Sequence, residues 1–241
     1  MNRIIVLLII LFLNSEIFPQ ITIAYLPDLP PSNDNLTQKG LAGGFAGISN
    51  NALLFAGGAN FPNLLPWEGG TKRWWDDIYV LEKVNENYLW NDKVFKLDKP
   101  LAYGLSITIP DGVICIGGCD DSKCYDNVFL LEWENGVIKK ELFPSLPVPL
   151  ANMAGTIIDN TIYIAGGHED AKNASASKHF FSLDLSKRNS PEFQWNKLKT
   201  WQGKPRAFAV AVSQSNGVED CFYLFSGRNF SHDNKIEVLY D

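Results

Sequence analysis

Residues 43–62 read GGFAGISNNALLFAGGANFP. The stretch holds an apolar strand, a polar turn at Asn50 and Asn51, a second apolar strand, and a Gly57-Gly58 pair that opens a loop. The same grammar returns downstream. Residues 102–118 read AYGLSITIPDGVICIGG, residues 151–167 read ANMAGTIIDNTIYIAGG, and residues 207–227 read AFAVAVSQSNGVEDCFYLFSG. In the last copy Ser226 replaces the first glycine.

The unit is strand, turn, strand, Gly-Gly, loop and further strand, recurring roughly every 50–60 residues. A period near 50 with Gly-Gly closing the second strand is the kelch signature of a β-propeller blade. A single blade cannot bury its own faces, so the repeats predict one all-β domain rather than several. We expect a kelch-type β-propeller of antiparallel four-stranded blades, with about four blades of six within the chain.

In order, residues 1–19 form the expected signal peptide. Arg3 supplies the positive end, and residues 4–13 are an unbroken apolar run too short to span a bilayer. Cleavage is expected between residues 15 and 20, with export to a bacterial periplasm or the exterior. Residues 20–39 are read as an N-terminal strand (21–26) and a linker, and residues 40–241 as the partial propeller. Its blades are expected over 40–98, 99–147, 148–202 and 203–241, the last incomplete. The expected strands are 45–49, 53–56, 78–81 and 94–97 in the first blade, and 105–109, 113–116, 128–131 and 137–142 in the second. The third has 155–158, 162–165, 180–183 and 193–198; the fourth has 208–212, 222–225 and 236–239. A fourth blade without an outer strand predicts that the chain is the front part of a larger propeller. Its open edges are a route to self-association.

The formal net charge of −6 argues against a nucleic-acid partner, because phosphate binding needs a basic face. No apolar stretch after the leader is long enough for a membrane span. Of the cysteines, Cys115 and Cys221 fall in second strands and read as small buried apolar residues. Cys119 and Cys124 flank a short loop and could form a local disulfide in an oxidising compartment. No second Cys or His pair at ligand spacing supports zinc, so no metal is expected. The Gly pairs lead into no helix pattern, so they are not phosphate loops, and no nucleophile elbow or His-Glu metalloprotease motif occurs. No cofactor is expected.

The block at 43–62 closely resembles a blade segment of the bacterial N-acetylneuraminate epimerases, the kelch-repeat sialic acid mutarotases. LPWEGG at 65–70, DDIYVLE at 76–82, PLAYG at 100–104, DGVICIGG at 111–118 and YLFSGRN at 223–229 extend the resemblance over the mature chain. The order of elements is similar to the cyclically permuted branch of that family. The resemblance implies a six-bladed propeller, a sialic acid substrate, and interconversion of its α and β anomers. It also implies a catalytic Glu and Arg in a GE-x-x-PG-x-R pattern just after the second strand of one blade. No such pattern occurs here: the residues after the strand-ending glycine are Ala59, Cys119, His168 and Arg228. In the permuted order the pattern is expected beyond Asp241, so no catalytic residue is assigned. The alternative function is a non-catalytic kelch module that binds a sugar or protein.

In a propeller the loops after the second strands and the connections between blades open on one face. That geometry selects Arg73 from the long first loop, with Lys72 and Asp76 beside it. It selects Tyr103 and Asn152 at the starts of inner strands, Arg206 before the fourth inner strand, and Arg228 after its partner. Arg73, Tyr103, Asn152, Arg206 and Arg228 are the candidate substrate-binding residues. Arg206 or Arg228 is expected to hold the substrate carboxylate, because a guanidinium presents a fork of donors. Each has a competing structural reading: Arg206, and likewise Arg228, pairing with a loop carboxylate, and Tyr103 packing on its inner strand. His168 and Glu169 are read as a solvated loop pair. Trp67, Trp74 and Trp75 are read as inter-blade packing before sugar stacking.

Overall fold

A computed structural model describes residues 25–32, 38–172, 175–230 and 235–240. The leader expected over 1–19 lies outside them, as do residues 21–24 of the expected first strand; Tyr25 and Leu26 are not in a strand. The described chain is all-β, built from antiparallel sheets of propeller-blade form.

In the first unit β1 (Phe45–Ser49) pairs with β2 (Ala52–Ala56), Phe45 facing Ala56. Asn50 and Asn51 turn the hairpin with φ of 46° and 62°, the left-handed pair that matches strand twist. A short hairpin, β3 (Ala59–Asn60) with β4 (Arg73–Trp74), carries the long loop. The chain then enters β5 (Asp77–Val84), which pairs with β2. The outer strand is β6 (Asn87–Trp90), and β7 (Phe95–Lys96) pairs with the other end of β5. The strand expected at 94–97 is thus only β7. The sequence reading missed β6 because it is half-exposed and follows a tight turn at Asn85 that contains no glycine.

The second unit runs β8 (Leu105–Ile109), β9 (Gly112–Ile116), β10 (Val128–Glu134) and β11 (Val137–Leu142) as one meander. The third has β12 (Ala154–Ile158), β13 (Thr161–Ala165), β14 (Phe180–Asp184) and β15 (Asn196–Lys197). Only two residues of the outer strand expected at 193–198 pair; Phe193 and Trp195 turn into the core instead. The fourth unit contributes the hairpin of β16 (Val210–Ser215) and β17 (Asp220–Phe225).

The last strands, β18 (Arg228–Phe230) and β19 (Ile236–Val238), pair with each other and not with β17. That corrects the placement of 236–239 as a third strand. Leu239 N–H donates to Gly227 O at 2.9 Å. The same bond runs from Trp75 to Gly58, from Tyr125 to Gly118 and from Ser177 to Gly167. The β18–β19 hairpin is therefore the counterpart of β3–β4, a loop-face hairpin that precedes the third strand.

Strand alternation makes β9 the wall between two cores. Its five residues are all buried. Val113 and Cys115 face the first unit, meeting Phe45, Leu54, Ile78 and Val80. Ile114 and Ile116 face the third, meeting Ile162, Ile164, Phe181 and Leu183. Successive side chains on a strand point to opposite faces, so a blade between two others must be apolar on both.

The glycine pairs join the units. Gly57, Gly117 and Gly166 donate to Asp77 O, Asn127 O and His179 O, at or just before the start of their own third strand, each at 2.8 Å. Gly58, Gly118 and Gly167 donate across to Leu101 O, Leu150 O and Arg206 O at 2.8–2.9 Å. A Cβ on Gly57, Gly117 or Gly166 would sit 2.1–2.3 Å from those same carbonyl oxygens. All six glycines also have positive φ. Gly117→Ala is expected to lower stability by about 3 kcal/mol or more, combining left-handed strain with overlap on Leu150 O. Gly136→Ala, at φ 77° with open space around it, should cost only about 1 kcal/mol. Urea unfolding midpoints of the two variants make the comparison; equal losses would show that strain alone decides.

Candidate functional site

A ladder of left-handed residues lines one end of the units. Gly43, Tyr103, Asn152 and Phe208 have φ of 67°, 63°, 53° and 56°. Tyr103 N–H donates to Gly43 O at 2.7 Å, Asn152 N–H to Tyr103 O at 2.8 Å, and Phe208 N–H to Asn152 O at 2.9 Å. Each is followed by an inner strand and preceded by an alanine. Those alanines, Ala42, Ala102, Ala151 and Ala207, bridge to Ala59, Cys119, His168 and Arg228, the residues after the strand-ending glycines. One residue before each inner strand and one after each glycine pair are thus brought to a common face by backbone bonds alone. Asparagine adopts this conformation readily, whereas for tyrosine and phenylalanine it is strained.

Two groups of side chains form on this face. In the first, Tyr103 packs against Gly43, where a Cβ would approach its ring to 2.4 Å. Lys72 Nζ lies 4.3 Å from the Tyr103 ring centre and 4.8 Å from that of Trp74. Arg73 is exposed, its guanidinium 3.9 Å over the Trp75 ring. Lys72, Arg73 and Trp74 line a cavity of about 510 Å3 whose other wall is Asp120 and Asp121. Hydrogen bonds from Ser122, Tyr125 and the backbone of Lys123 hold the Asp120 carboxyl well below its usual range, against the opposing effect of burial. Asp76, beside this loop, is paired with Lys96 at 2.6 Å.

In the second group Asn152 Nδ2 donates to His168 Nε2 at 2.8 Å. The His168 ring lies 5.8 Å from that of Phe208, and the Arg228 guanidinium stacks on the other ring at 3.7 Å. Asn229 Oδ1 accepts from Ala176 N–H at 3.0 Å and ties the neighbouring loop down. Asn152 and Arg228 are therefore linked through His168 and Phe208. Sequence reasoning missed both intermediaries. His168 is 4% exposed and not a solvated loop residue, because its ladder position turns it inward. Its neighbour Glu169 diverges and pairs with His179 at 2.8 Å. The signal was available: His168 and Arg228 occupy the same position in successive repeats.

Arg206 is set apart. It fills the place that Leu101 and Leu150 hold in the earlier units, is 3% exposed, and donates from Nη1 to Ser226 O at 2.9 Å. Its side chain lines the groove formed by Trp201, Phe180, Phe222 and Leu224 between the third and fourth units. Of the tryptophans, Trp75 is buried with its indole N–H on Asn60 Oδ1, while Trp67 is 79% exposed. Among the described residues no three His, Cys, Asp or Glu side chains converge as a metal set.

Burial lowers the His168 pKa, with the Arg228 charge adding to it and Asp170 opposing. Above its unfolded value of about 6.5 both states hold the ring neutral. As pH falls below that value the unfolded chain takes up a proton that the folded chain refuses. Stability then falls, by up to about 1.4 kcal/mol per pH unit, until the folded ring also titrates. Urea midpoints measured from pH 7.5 down to 5 should show this slope, reduced in His168→Gln; an identical slope in the variant would contradict it.

Comparison with known proteins places this arrangement in a family. The family model for N-acetylneuraminate epimerase matches residues 18–139. The N-acetylneuraminate epimerase of Brucella suis is 36% identical over 124 residues, 47% of this chain and 31% of that protein. That of Yersinia enterocolitica is 38% identical over 125 residues, 48% of this chain and 31% of its own length. That of Salmonella enteritidis is 39% identical over 99 residues, covering 37% and 24%. The matched stretch thus spans a third or less of these relatives. The family match contains the first unit and most of the second, with the 43–62 block, the long loop of Arg73 and the glycine pair that precedes Cys119. By this match the chain belongs to the N-acetylneuraminate epimerase family.

Proposed function

We propose that this chain carries part of a sialic acid mutarotase, which interconverts the α and β anomers of N-acetylneuraminate. The observation that carries the reading is the family match over residues 18–139. A cation on the loop face supports the reading, because an acidic sugar would need one. Arg228 presents its guanidinium at the end of the Asn152–His168–Phe208 group, held flat by the Phe208 ring. A fixed, planar guanidinium suits a carboxylate held by two parallel hydrogen bonds. Tyr103 and Asn152, successive members of the same backbone ladder, are the proposed contacts for sugar hydroxyls, and Arg73 with Lys72 supplies positive charge at the rim. Arg206 serves instead to join the third and fourth units. We further propose export by the leader over 1–19, with the four units belonging to a six-bladed propeller.

Mutarotation asks little of the protein. A base takes the proton of the anomeric hydroxyl, the bond from the anomeric carbon to the ring oxygen breaks, and an acid or water protonates that oxygen. Rotation and reclosure then give the other anomer. A positioned carboxylate base contributes roughly 10²–10⁴-fold. None of Ala59, Cys119, His168 and Arg228 supplies one. That observation favours a second reading, sugar binding without exchange, for the residues described.

The test is to release the α anomer of sialic acid enzymatically and follow its equilibration by proton NMR, with and without the protein. Faster equilibration than buffer supports the mutarotase reading; binding without acceleration supports the second. Arg228→Ala should weaken binding of the acidic sugar roughly 10- to 100-fold, the range of a charged hydrogen-bonded contact. Unchanged affinity in that variant would remove Arg228 from the carboxylate role. Arg206→Ala should reduce stability more than affinity.

A further inference from the structure

We propose that Cys119 and Cys124, buried just beneath the loop face, are a reversible dithiol–disulfide pair, a site of thiol–disulfide exchange with small-molecule disulfides. The argument rests on strand geometry and is independent of sugar binding. Cys119 and Cys124 face each other as an isolated antiparallel bridge. Tyr125 N–H donates to Gly118 O at 2.8 Å and Asp120 N–H to Lys123 O at 3.1 Å. These bonds bracket the cysteines, so the two form a non-hydrogen-bonded pair. In such a pair the Cα atoms stand about 4.5 Å apart with side chains on the same side. A disulfide spans Cα separations of about 4.4–6.8 Å, so the backbone need not move to close the bond.

The turn between them is already rigid. Asp120 accepts from Ser122 N–H and Oγ at 2.7 Å, from Lys123 N–H at 2.9 Å and from Tyr125 Oη at 2.5 Å. Both sulfurs are thiols in the structure. The adjacent Cys124 thiol favours the Cys119 thiolate; burial and the Asp120 charge oppose this and Lys72 assists it. The remaining cysteines have no such partner: Cys115 is fully enclosed in β9, and Cys221 lies on β17 beside Asn216.

In the exchange the Cys119 thiolate attacks one sulfur of oxidised glutathione and expels the first glutathione thiolate. Cys124 loses its proton and attacks the Cys119 sulfur of the mixed disulfide, expelling the second. The two protein thiols are oxidised by two electrons, the glutathione disulfide is reduced, and the two thiol protons end on the two glutathiones. Excess reduced glutathione runs the sequence backwards. The new bond would pin the turn that carries Asp120 and Asp121, the acidic wall opposite Lys72 and Arg73.

The folded chain is incubated with excess oxidised glutathione, quenched in acid, denatured, alkylated with iodoacetamide, and digested with trypsin without reduction. Cleavage after Lys123 separates the two cysteines, so a disulfide appears as a cross-linked peptide pair lacking both alkyl labels. The expected result is a 119–124 cross-link that is lost on adding reduced glutathione, with Cys115 and Cys221 fully alkylated. Two alkylated thiols at 119 and 124, separate glutathione adducts on each, or links to Cys115 or Cys221 would overturn the proposal. Cys124→Ser should trap the exchange as a stable glutathione adduct on Cys119; a folded variant without the adduct also overturns it. Should that variant fail to fold, the peptide map of the unaltered chain decides.

Discussion

The hydrogen bond from the second glycine of each strand-ending pair to the carbonyl that opens the next unit is the joint on which the architecture hangs. Gly58, Gly118 and Gly167 reach Leu101, Leu150 and Arg206 across the boundary between units. The approach is close enough that a Cβ on the preceding glycine would overlap the accepting oxygen. No L-residue larger than glycine meets both demands, left-handed backbone and contact distance, without strain. With the joint made, the inner strands lie side by side, and the apolar faces of successive sheets close over one another. The two cores either side of β9 follow from this, because neither sheet could bury both of its faces alone.

The same joint builds the candidate site. Bridging each Ala before an inner strand to the residue after the glycine pair sets side chains from four repeats on one face. Tyr103, Asn152 and Phe208 are then fixed by backbone bonds, with two aromatic residues held in a conformation they ordinarily avoid. Such strain persists only where surrounding structure over-determines it, and it concentrates at functional positions. Lys72 over Tyr103 and Arg228 over Phe208 show cations drawn to those rings. Stacking on an aromatic ring is thus one of the contacts that hold charge on this face.

The fold was largely legible from residue order. Apolar strands around Asn-Asn or Asp-Asn turns, closed by Gly-Gly, have a local cause for each element, and most inner and second strands form within a residue or two of expectation. Outer strands were less legible. Their faces are partly solvated, so Asn87–Trp90 carries little apolar signal and most of 193–198 serves packing instead of pairing. The candidate site was half legible. Tyr103, Asn152 and Arg228 were selected by repeat position, and that position does place them on one face. Arg206 was selected by the same logic, yet its side chain enters the leucine seat between units. His168 reads from its neighbours in the chain as a loop residue, whereas the fold makes it the partner of Asn152.

The sequence by itself determined the repeat, the hairpins, the apolar faces and the family, because each depends on residues near one another in the chain. The tertiary structure alone decided which way Arg206 points, that His168 is buried, and that Cys119 faces Cys124 across a non-hydrogen-bonded pair. It also decided that 236–238 belongs to a loop-face hairpin. These depend on backbone bonds between distant segments, and side-chain direction is set only when the carbonyl of one unit meets the glycine of another.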